Sequence, residues 1–331
     1  MKQVDISVII CTYNRAEMLN RAIKSVIDQE NSEKFTYEII IIDDGSTDET
    51  KSVVTEISAK TKVPLRYFFN KGSGIAEARN LGIVEASGKW IAFTDDDQWV
   101  EKDWLHNLFT IVSRNSAYCV GGTIRLDLKR EQLCNLGPVC RGLLGEFIPY
   151  KEATICRGKN IPSNGNLLID RKIFDSVGAY NPALLAGGED HDFIIRARSA
   201  GYDIWTAPGA IVYHSVPLYR LRRDYFRWVS LRRGSIYSQI DINNIGRRKI
   251  LLLSIARTVQ ALLINIPNLI MGYIMRDKIK ILDKKCLLWR AEGYLRNTLS
   301  LIGFYKISQK NYFNQLEFRK ERENFIRDNN I

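Results

Sequence analysis

The residues best suited to chemistry in this 331-residue chain are three consecutive carboxylates, Asp95, Asp96 and Asp97, which close the apolar run Trp90-Ile91-Ala92-Phe93. Like charges crowded at one strand end repel, so the cluster is costly unless a positive charge faces it. A hard divalent cation is the natural partner: Mg2+ takes carboxylate oxygens and shares its shell with phosphate. Open α/β sheets bind ligands beyond the carboxyl ends of their strands, where this cluster would fall. The plainer alternative is a solvated Asp-rich turn leading into a helix that starts near Lys102. Other groups able to act with the triplet are Asp43-Asp44, Glu189-Asp190 and His214, which follows the short apolar run Ile211-Val212-Tyr213.

The elements that must position these groups are read from periodicity. Ile6–Thr12, Tyr37–Ile42, Leu65–Phe69 and Trp90–Phe93 read as strands, with helical patterns over Arg15–Gln29 and Gly74–Ala86 and a further helix after Ser46 or Thr47 as cap. Strands alternating with helices imply βαβ units and a mostly parallel sheet; the continuous apolar character of the first two runs fits strands buried on both faces. Further on, a helix is expected over Asp103–Val112, strands at Tyr118–Ile124 and Asn166–Ile169, and a short helix at Arg171–Val177. Another helix follows at Asp192–Ala200 with Gly201 closing it, then short strands at Ile204-Trp205 and Ile211–Tyr213; residues 127–162 show no regular pattern. The fold class is therefore α/β, residues 1–216 forming one domain and 217–331 a basic, partly apolar helical region.

Charge is unevenly placed. Residues 216–331 hold 23 Lys/Arg against 9 Asp/Glu, while residues 1–215 have a balance of −3 within a total of +11. A basic patch of that kind points to an anionic surface, lipid before nucleic acid, since nucleic acid would demand a basic groove in the first 215 residues. The six cysteines have neither zinc-site nor compact disulfide spacing, and the N-terminus carries no apolar signal region; the expectation is a reduced, cytoplasmic protein.

Taken in order, several motifs resemble those of the family 2 nucleotide-diphospho-sugar glycosyltransferases of the GT-A type, over roughly residues 4–235. They are Ser7-Val8-Ile9-Ile10-Cys11-Thr12-Tyr13-Asn14-Arg15, Ile42-Asp43-Asp44-Gly45-Ser46-Thr47-Asp48, Ala78-Arg79-Asn80 with Gly82, Gly88 through Asp97, Gly188-Glu189-Asp190-His191-Asp192 with Arg196, and His214. The resemblance implies inverting transfer of a sugar from a nucleotide diphosphate, most commonly a UDP-sugar, to a hydroxyl of a glycan or lipid-linked acceptor, as in cell-surface polysaccharide synthesis. It implies Asp97 as direct ligand of Mn2+ or Mg2+, with Asp95 and Asp96 on the ribose or completing the metal shell through water. His214 would approach the metal or the diphosphate, and imidazole suits Mn2+ better than Mg2+; a lone histidine is otherwise structural.

Thr12, Tyr13, Asn14 and Arg15 would meet base and ribose, Asn14 also serving as helix cap, and Asp44 would bond the base with Asp43 as the alternative. Arg79 can reach a phosphate as a planar donor or be a solvated helix-face charge. Asp190 is the candidate general base, with Glu189 as substitute, or else a plain acidic cap; Asp192 caps the helix or pairs with Arg196. Asn164-Gly165-Asn166 resembles the strand lining the acceptor and donor-sugar pocket, or is a turn.

In the C-terminal third, six Arg lie among aromatics between Tyr219 and Arg233, consistent with a solvated amphipathic helix, a membrane-surface helix, or arginines near a diphosphate. Thr258–Met275 is uncharged over 18 residues and contains Pro267, with Arg247-Arg248-Lys249 before it and Arg276, Lys278 and Lys280 after it. A helix packed on the domain or lying in a membrane interface is favoured over a span, which leads to peripheral attachment at the cytoplasmic membrane face. Residues 306–331 read as a polar helical tail. Two rival functions are a sugar-nucleotide nucleotidyltransferase, which should show a Gly-rich basic loop where Thr12-Tyr13-Asn14-Arg15 stands, and a non-catalytic basic membrane- or nucleic-acid-binding protein.

Overall fold

The computed structural model describes residues 4–30, 34–158, 161–184 and 187–304. The sequence-read tail at 306–331 lies outside the described residues. Two compact units are present: Met1–Asp127 with Gly145–Ser215, and Leu128–Leu144 with Val216–Ile331.

The first unit contains β1 (Ile6–Thr12), α1 (Ala16–Ile27), β2 (Tyr37–Asp43), α2 (Thr50–Lys60), β3 (Leu65–Phe69) and α3 (Ile75–Glu85). It continues with β4 (Trp90–Phe93), β5 (Gln98–Val100), α4 (Trp104–Asn115) and β6 (Cys119–Asp127). The short helices α5 (Arg130–Cys134) and α6 (Pro138–Leu143) belong to the second unit, and the first resumes with β7 (Leu167–Asp170), α7 (Arg171–Val177), α8 (Glu189–Ser199) and β8 (Ile204–Ser215).

The strands form one sheet in the order β3-β2-β1-β4-β7-β6-β8-β5. β3, β2, β1 and β4 run parallel, β7 is antiparallel to both β4 and β6, β6 and β8 are parallel, and β5 is antiparallel to β8. The expected mostly parallel sheet flanked by helices is what forms. Both faces are covered, which is why β1 and β2 read as unbroken apolar runs. Val8, Ile10, Ile39 and Ile41 pack on one face with Leu19, Ile23 and Leu108, whereas Ile9, Ile40 and Ile42 pack on the other with Ala78, Phe193 and Ile194.

Three local readings are corrected. β8 is one strand, not two: it runs through Pro208-Gly209, and its pairing with β6 shifts register between Gly122 and Thr123. α8 starts at Glu189, three residues before the expected Asp192, because Gly188 at φ 95 provides the left-handed entry. α2 is capped by neither Ser46 nor Thr47; Asp48 Oδ1 accepts from the Thr50 N–H at 3.1 Å.

In the second unit α9 (Arg223–Gln260) is broken at Gly246, a π turn spans Ala261–Asn265, α10 (Ile266–Ile274) follows, and α11 (Lys278–Leu301) returns along α9. Gly234 and Gly293 allow the close crossing, since a Cβ on Gly234 would overlap the Arg290 carbonyl and one on Gly293 the Leu231 carbonyl.

Candidate functional site

A tight turn builds the carboxylate triplet. β4 ends at Phe93, and Gln98 fixes the residues that follow. Its N–H donates to the Asp95 carbonyl (3.1 Å), and its side-chain oxygen accepts from Thr94 Oγ1 and the Asp95 N–H, both at 3.0 Å. β5 then pairs with β8 so that Gln98 lies opposite His214, and the Ser215 N–H donates to the Asp97 carbonyl at 2.8 Å. This pairing carries His214 to the triplet, with Nε2 3.5 Å from Asp97 Oδ2.

The protein itself places positive charge against the triplet, at two points. Arg15 Nη1 donates to Asp96 Oδ1 at 2.6 Å and to Asp97 Oδ2 at 3.0 Å. Thr12, at the end of β1, donates from Oγ1 to Asp96 Oδ2 at 2.9 Å. Burial pushes the Asp96 carboxyl up to about 6, against the opposing pull of Arg15. Arg79 on α3 is buried; Nη1 bonds Glu189 Oε1, and Nη2 reaches Asp95 Oδ1 at 3.4 Å. This corrects one of the two expectations for Arg79. It is no solvated helix-face charge, and both terminal nitrogens are engaged by carboxylates, because a guanidinium removed from water must be paired. Asp95 is the most open of the three, with 41% of its side chain accessible against 6% for Asp96 and 9% for Asp97.

Arg79 joins the triplet to the start of α8. There Asp190 is partly exposed, and its Oδ1 accepts from the His191 N–H at 2.7 Å. The carboxylate thus lies in a first helical turn, where backbone N–H groups favour negative charge. Glu189 is 6% exposed, and its second oxygen, Oε2, has no hydrogen-bond partner among the described residues. Asp192 pairs with Arg196 at 2.9 Å.

The two loops after β1 and β2 lock together. Asn14, at φ 50, donates its N–H to Ser46 Oγ (2.8 Å) and accepts from the Thr47 N–H (2.8 Å). It therefore does not cap α1; the Ala16 N–H at the start of that helix donates to Asp48 Oδ2 at 3.2 Å. Tyr13 remains 50% exposed. Asp44 accepts from Asn70 Nδ2 (2.7 Å) and from the N–H groups of Ser73 (3.1 Å) and Gly74 (3.0 Å). Buried Asp43 is taken by Tyr67 OH at 2.7 Å and the Ser46 N–H at 2.8 Å.

Asn164 and Asn166 separate in role. Asn166 is fully buried and its amide is saturated, donating to the carbonyls of Thr123 (2.9 Å) and Ala210 (2.8 Å) and accepting from Trp104 Nε1 (2.8 Å). It braces β6 and β8 and does not line a pocket, which corrects the expectation. Asn164 accepts from Tyr180 OH at 2.8 Å, while its Nδ2 is buried without a partner among the described residues. Between them, Gly165 lets the backbone approach the triplet: a Cβ there would stand 2.8 Å from Asp95 Oδ2.

Residues 7–178 match the family described as Glycosyl transferase family 2. The chain belongs to this family. It is 27% identical over 223 residues to "Glycosyltransferase AglE" of Haloferax volcanii, covering 67% of this chain and 71% of that protein. It is 44% identical over 116 residues to an uncharacterised glycosyltransferase of Rickettsia conorii, where the match covers 35% of this chain and 18% of that one. Among solved structures, S. aureus TarS 1–349 in complex with UDP is similar with a TM-score of 0.51 at 16% identity, covering 91% of this chain and 92% of that one. GalNAc-T7 with UDP, GalNAc and Mn2+ gives a TM-score of 0.52 at 20% identity, covering 72% and 50%. The fold is that of GT-A glycosyltransferases, and the protein is a transferase. Neither the nucleotidyltransferase nor the non-catalytic reading is retained.

Two residues at this glycosyltransferase site escaped sequence reasoning: Gln98, which shapes the triplet turn, and Tyr180, whose ring lies 5.8 Å from the Arg79 guanidinium. Asp48, the last residue of the second family motif, accepts from the first N–H of both α1 and α2. Asn80 offered the one available signal. It follows Arg79 in the family motif, and its amide clasps the Tyr180 backbone with two reciprocal bonds of 2.9 Å.

The donor set can be tested for a divalent cation. Among the described residues no group of three or more His, Cys, Asp or Glu is arranged to hold a metal. Asp97 Oδ2 and His214 Nε2 face each other at 3.5 Å, near the roughly 3 Å expected of adjacent ligands about 2.1 Å from one ion. Such ions take one or two protein ligands and fill the shell with substrate phosphate and water, and a mixed oxygen and imidazole pair suits Mn2+. The residues fit the group.

Proposed function

We propose that this chain transfers a sugar, with inversion, from a nucleotide diphosphate donor to an acceptor hydroxyl on a glycan or lipid-linked glycan, as in cell-surface polysaccharide synthesis. The observation that carries this is the Arg79 bridge, which joins Asp95 of the triplet to Glu189 beside Asp190. A donor-side carboxylate cluster and a candidate base thereby belong to one site. UDP is the favoured nucleotide, supported by the UDP named with both similar solved structures.

In this reading Asp190 accepts the proton of the acceptor hydroxyl as its oxygen attacks the anomeric carbon. The bond from that carbon to the diphosphate oxygen breaks on the opposite face, and a single displacement inverts the centre. Thr12, Tyr13, Asn14 and Arg15 with Asp44 contact base and ribose, Tyr13 offering its exposed ring and Asp44 a carboxylate already oriented by Asn70, Ser73 and Gly74. Asp95 faces the donor, Asp96 holds Arg15 and Thr12 in place, and Glu189 with Asn164 lines the sugar pocket. Asp97 and His214 would hold Mn2+ or Mg2+, which supplies charge neutralisation for the departing diphosphate. Arg79 acts as a positioning residue, fixing Glu189 and Asp95 together.

The test is UDP release from UDP-sugars with Mn2+ and a hydroxyl acceptor, alongside the anomeric configuration of the product by NMR. Asp190→Asn is expected to lower the rate by about 10²–10⁴-fold with donor affinity little changed. An Asp190→Asn protein that transfers sugar at the original rate refutes the base assignment, and retained anomeric configuration refutes the single displacement.

A further inference from the structure

We propose that the apolar stretch Leu251–Met275 is a monotopic anchor that lies in the plane of an anionic lipid surface and does not cross it. This stands on the helical unit alone and does not depend on the reaction proposed above. The stretch has two faces. One is committed to the protein, with Ser254, Ala261 and Gly272 buried. The rest presents Leu252, Ile255, Val259, Leu263, Ile270 and Ile274, with Leu252 69% exposed and Leu263 and Ile274 each 71%, and past Ala261 the exposure widens to take in Leu262, Tyr273 and Met275 as well. Exposed apolar surface of this extent marks an interaction site.

By length and composition, the helical run ending at Ile274 could cross a membrane. The return helix argues against it. α11 doubles back beside α10: a Cβ on Gly272 would meet Ile281 Cγ1 at 3.1 Å and Lys280 Cγ at 3.7 Å, and Lys285 Nζ stands 5.3 Å from the Tyr273 ring. A crossing would draw Lys280, Lys284 and Lys285 into hydrocarbon with it, where cations are costly. At the level of the headgroups the same residues are favourable, since lysine and tyrosine belong where an apolar body meets a polar tip.

The charges name the occupant. Arg247, Arg248 and Lys249 precede the stretch, and Arg276 and Lys278 follow it, all exposed. The nearby acids are occupied by backbone: Asp277 accepts from the Lys280 N–H at 2.9 Å, and Asp283 from the N–H groups of Val139 at 3.2 Å and Cys140 at 3.0 Å. An apolar stripe bracketed by unmasked cations fits an anionic lipid interface.

The test is flotation of the 331-residue chain with phosphatidylglycerol-containing vesicles and with pure phosphatidylcholine vesicles. Binding is expected on the anionic vesicles alone, weakening as salt is raised. The triple variant R247Q/R248Q/K249Q should bind roughly a hundredfold more weakly. Leu263→Glu should weaken binding about tenfold or more with an unchanged melting temperature, because the side chain is already in solvent. Alkaline carbonate should release the bound protein. Failure of the chain to bind anionic vesicles overturns the proposal, and light scattering then shows whether a second copy covers the stripe. Binding indifferent to Leu263→Glu also overturns it, and resistance to carbonate would establish a span instead.

Discussion

Arg79 and Leu263 depart from ordinary placement in opposite senses. In the sheet unit charges are inside: Arg79, Asp96, Asp97 and Glu189 are each more than nine-tenths buried. In the helical unit hydrocarbon is outside, with Leu252, Leu263 and Ile274 each at least two-thirds exposed. The difference is in how a partner is revealed. A buried charge cannot persist unpaired, so its partners appear in its own hydrogen bonds. An exposed apolar side chain shows nothing of its partner, which must be read from the flanking charges.

The contrast breaks if the two placements carry similar structural weight. Arg79→Met is expected to have the largest effect on stability. It leaves Glu189 buried without its guanidinium, a loss of about 3–5 kcal/mol when one partner of a buried pair is removed. Thermal unfolding should register a marked fall, while Leu263→Glu stays within about 0.5 kcal/mol of the unsubstituted chain. A loss below about 1 kcal/mol for Arg79→Met would show that the bridge to Glu189 does not hold α3 and α8 together.

Asp96→Asn should act in the opposite direction. The folded protein raises this carboxyl from 3.8 to about 6, so the folded state binds the proton more tightly than the unfolded chain. The ionised group therefore lowers stability at neutral pH. The penalty is relieved as pH falls through about 6 and is gone below 3.8. The asparagine variant is therefore expected to melt higher than the original chain at pH 7 and to converge with it near pH 4. Melting temperatures of both proteins from pH 4 to 8 provide the check. Weaker UDP binding by the stabilised variant would sharpen the contrast, because the charge would then be retained for function at the expense of stability.

The parallel half of the sheet could be read in advance because strands buried on both faces leave continuous apolar runs, as at Ile6–Thr12 and Tyr37–Asp43. β5 could not, since its 3 residues are too few to show a period, and yet it is the strand that brings His214 to Asp97. Periodicity divides β8 around Pro208-Gly209 because a bulge looks like a break in sequence. At the site, the carboxylates were visible as types but their counter-charges were not. Arg79 and Glu189 are 110 residues apart, and Arg15 and Asp96 are 81 apart. A sequence shows that a triplet of carboxylates requires positive charge; only the fold shows that two arginines provide it before any cation is considered.

Within the helical unit the contrast narrows to two glycines. Replacing a helical glycine by alanine gains about 1 kcal/mol of helix propensity, so the sign of the effect depends on what the new methyl group meets. At Gly234 it meets the Arg290 carbonyl and lies 2.7 Å from the Tyr294 amide nitrogen, both backbone atoms of α11 that move only if the helices part. At Gly272 the nearest atom is Ile281 Cγ1 at 3.1 Å, at a branch that can turn aside by a few tenths of an ångström. Gly234→Ala should therefore lower stability by about 1–2 kcal/mol net, overpacking outweighing propensity. Gly272→Ala should be neutral or slightly stabilising. Equal losses at both sites would mean that α10 is held against α11 as rigidly as α9 is.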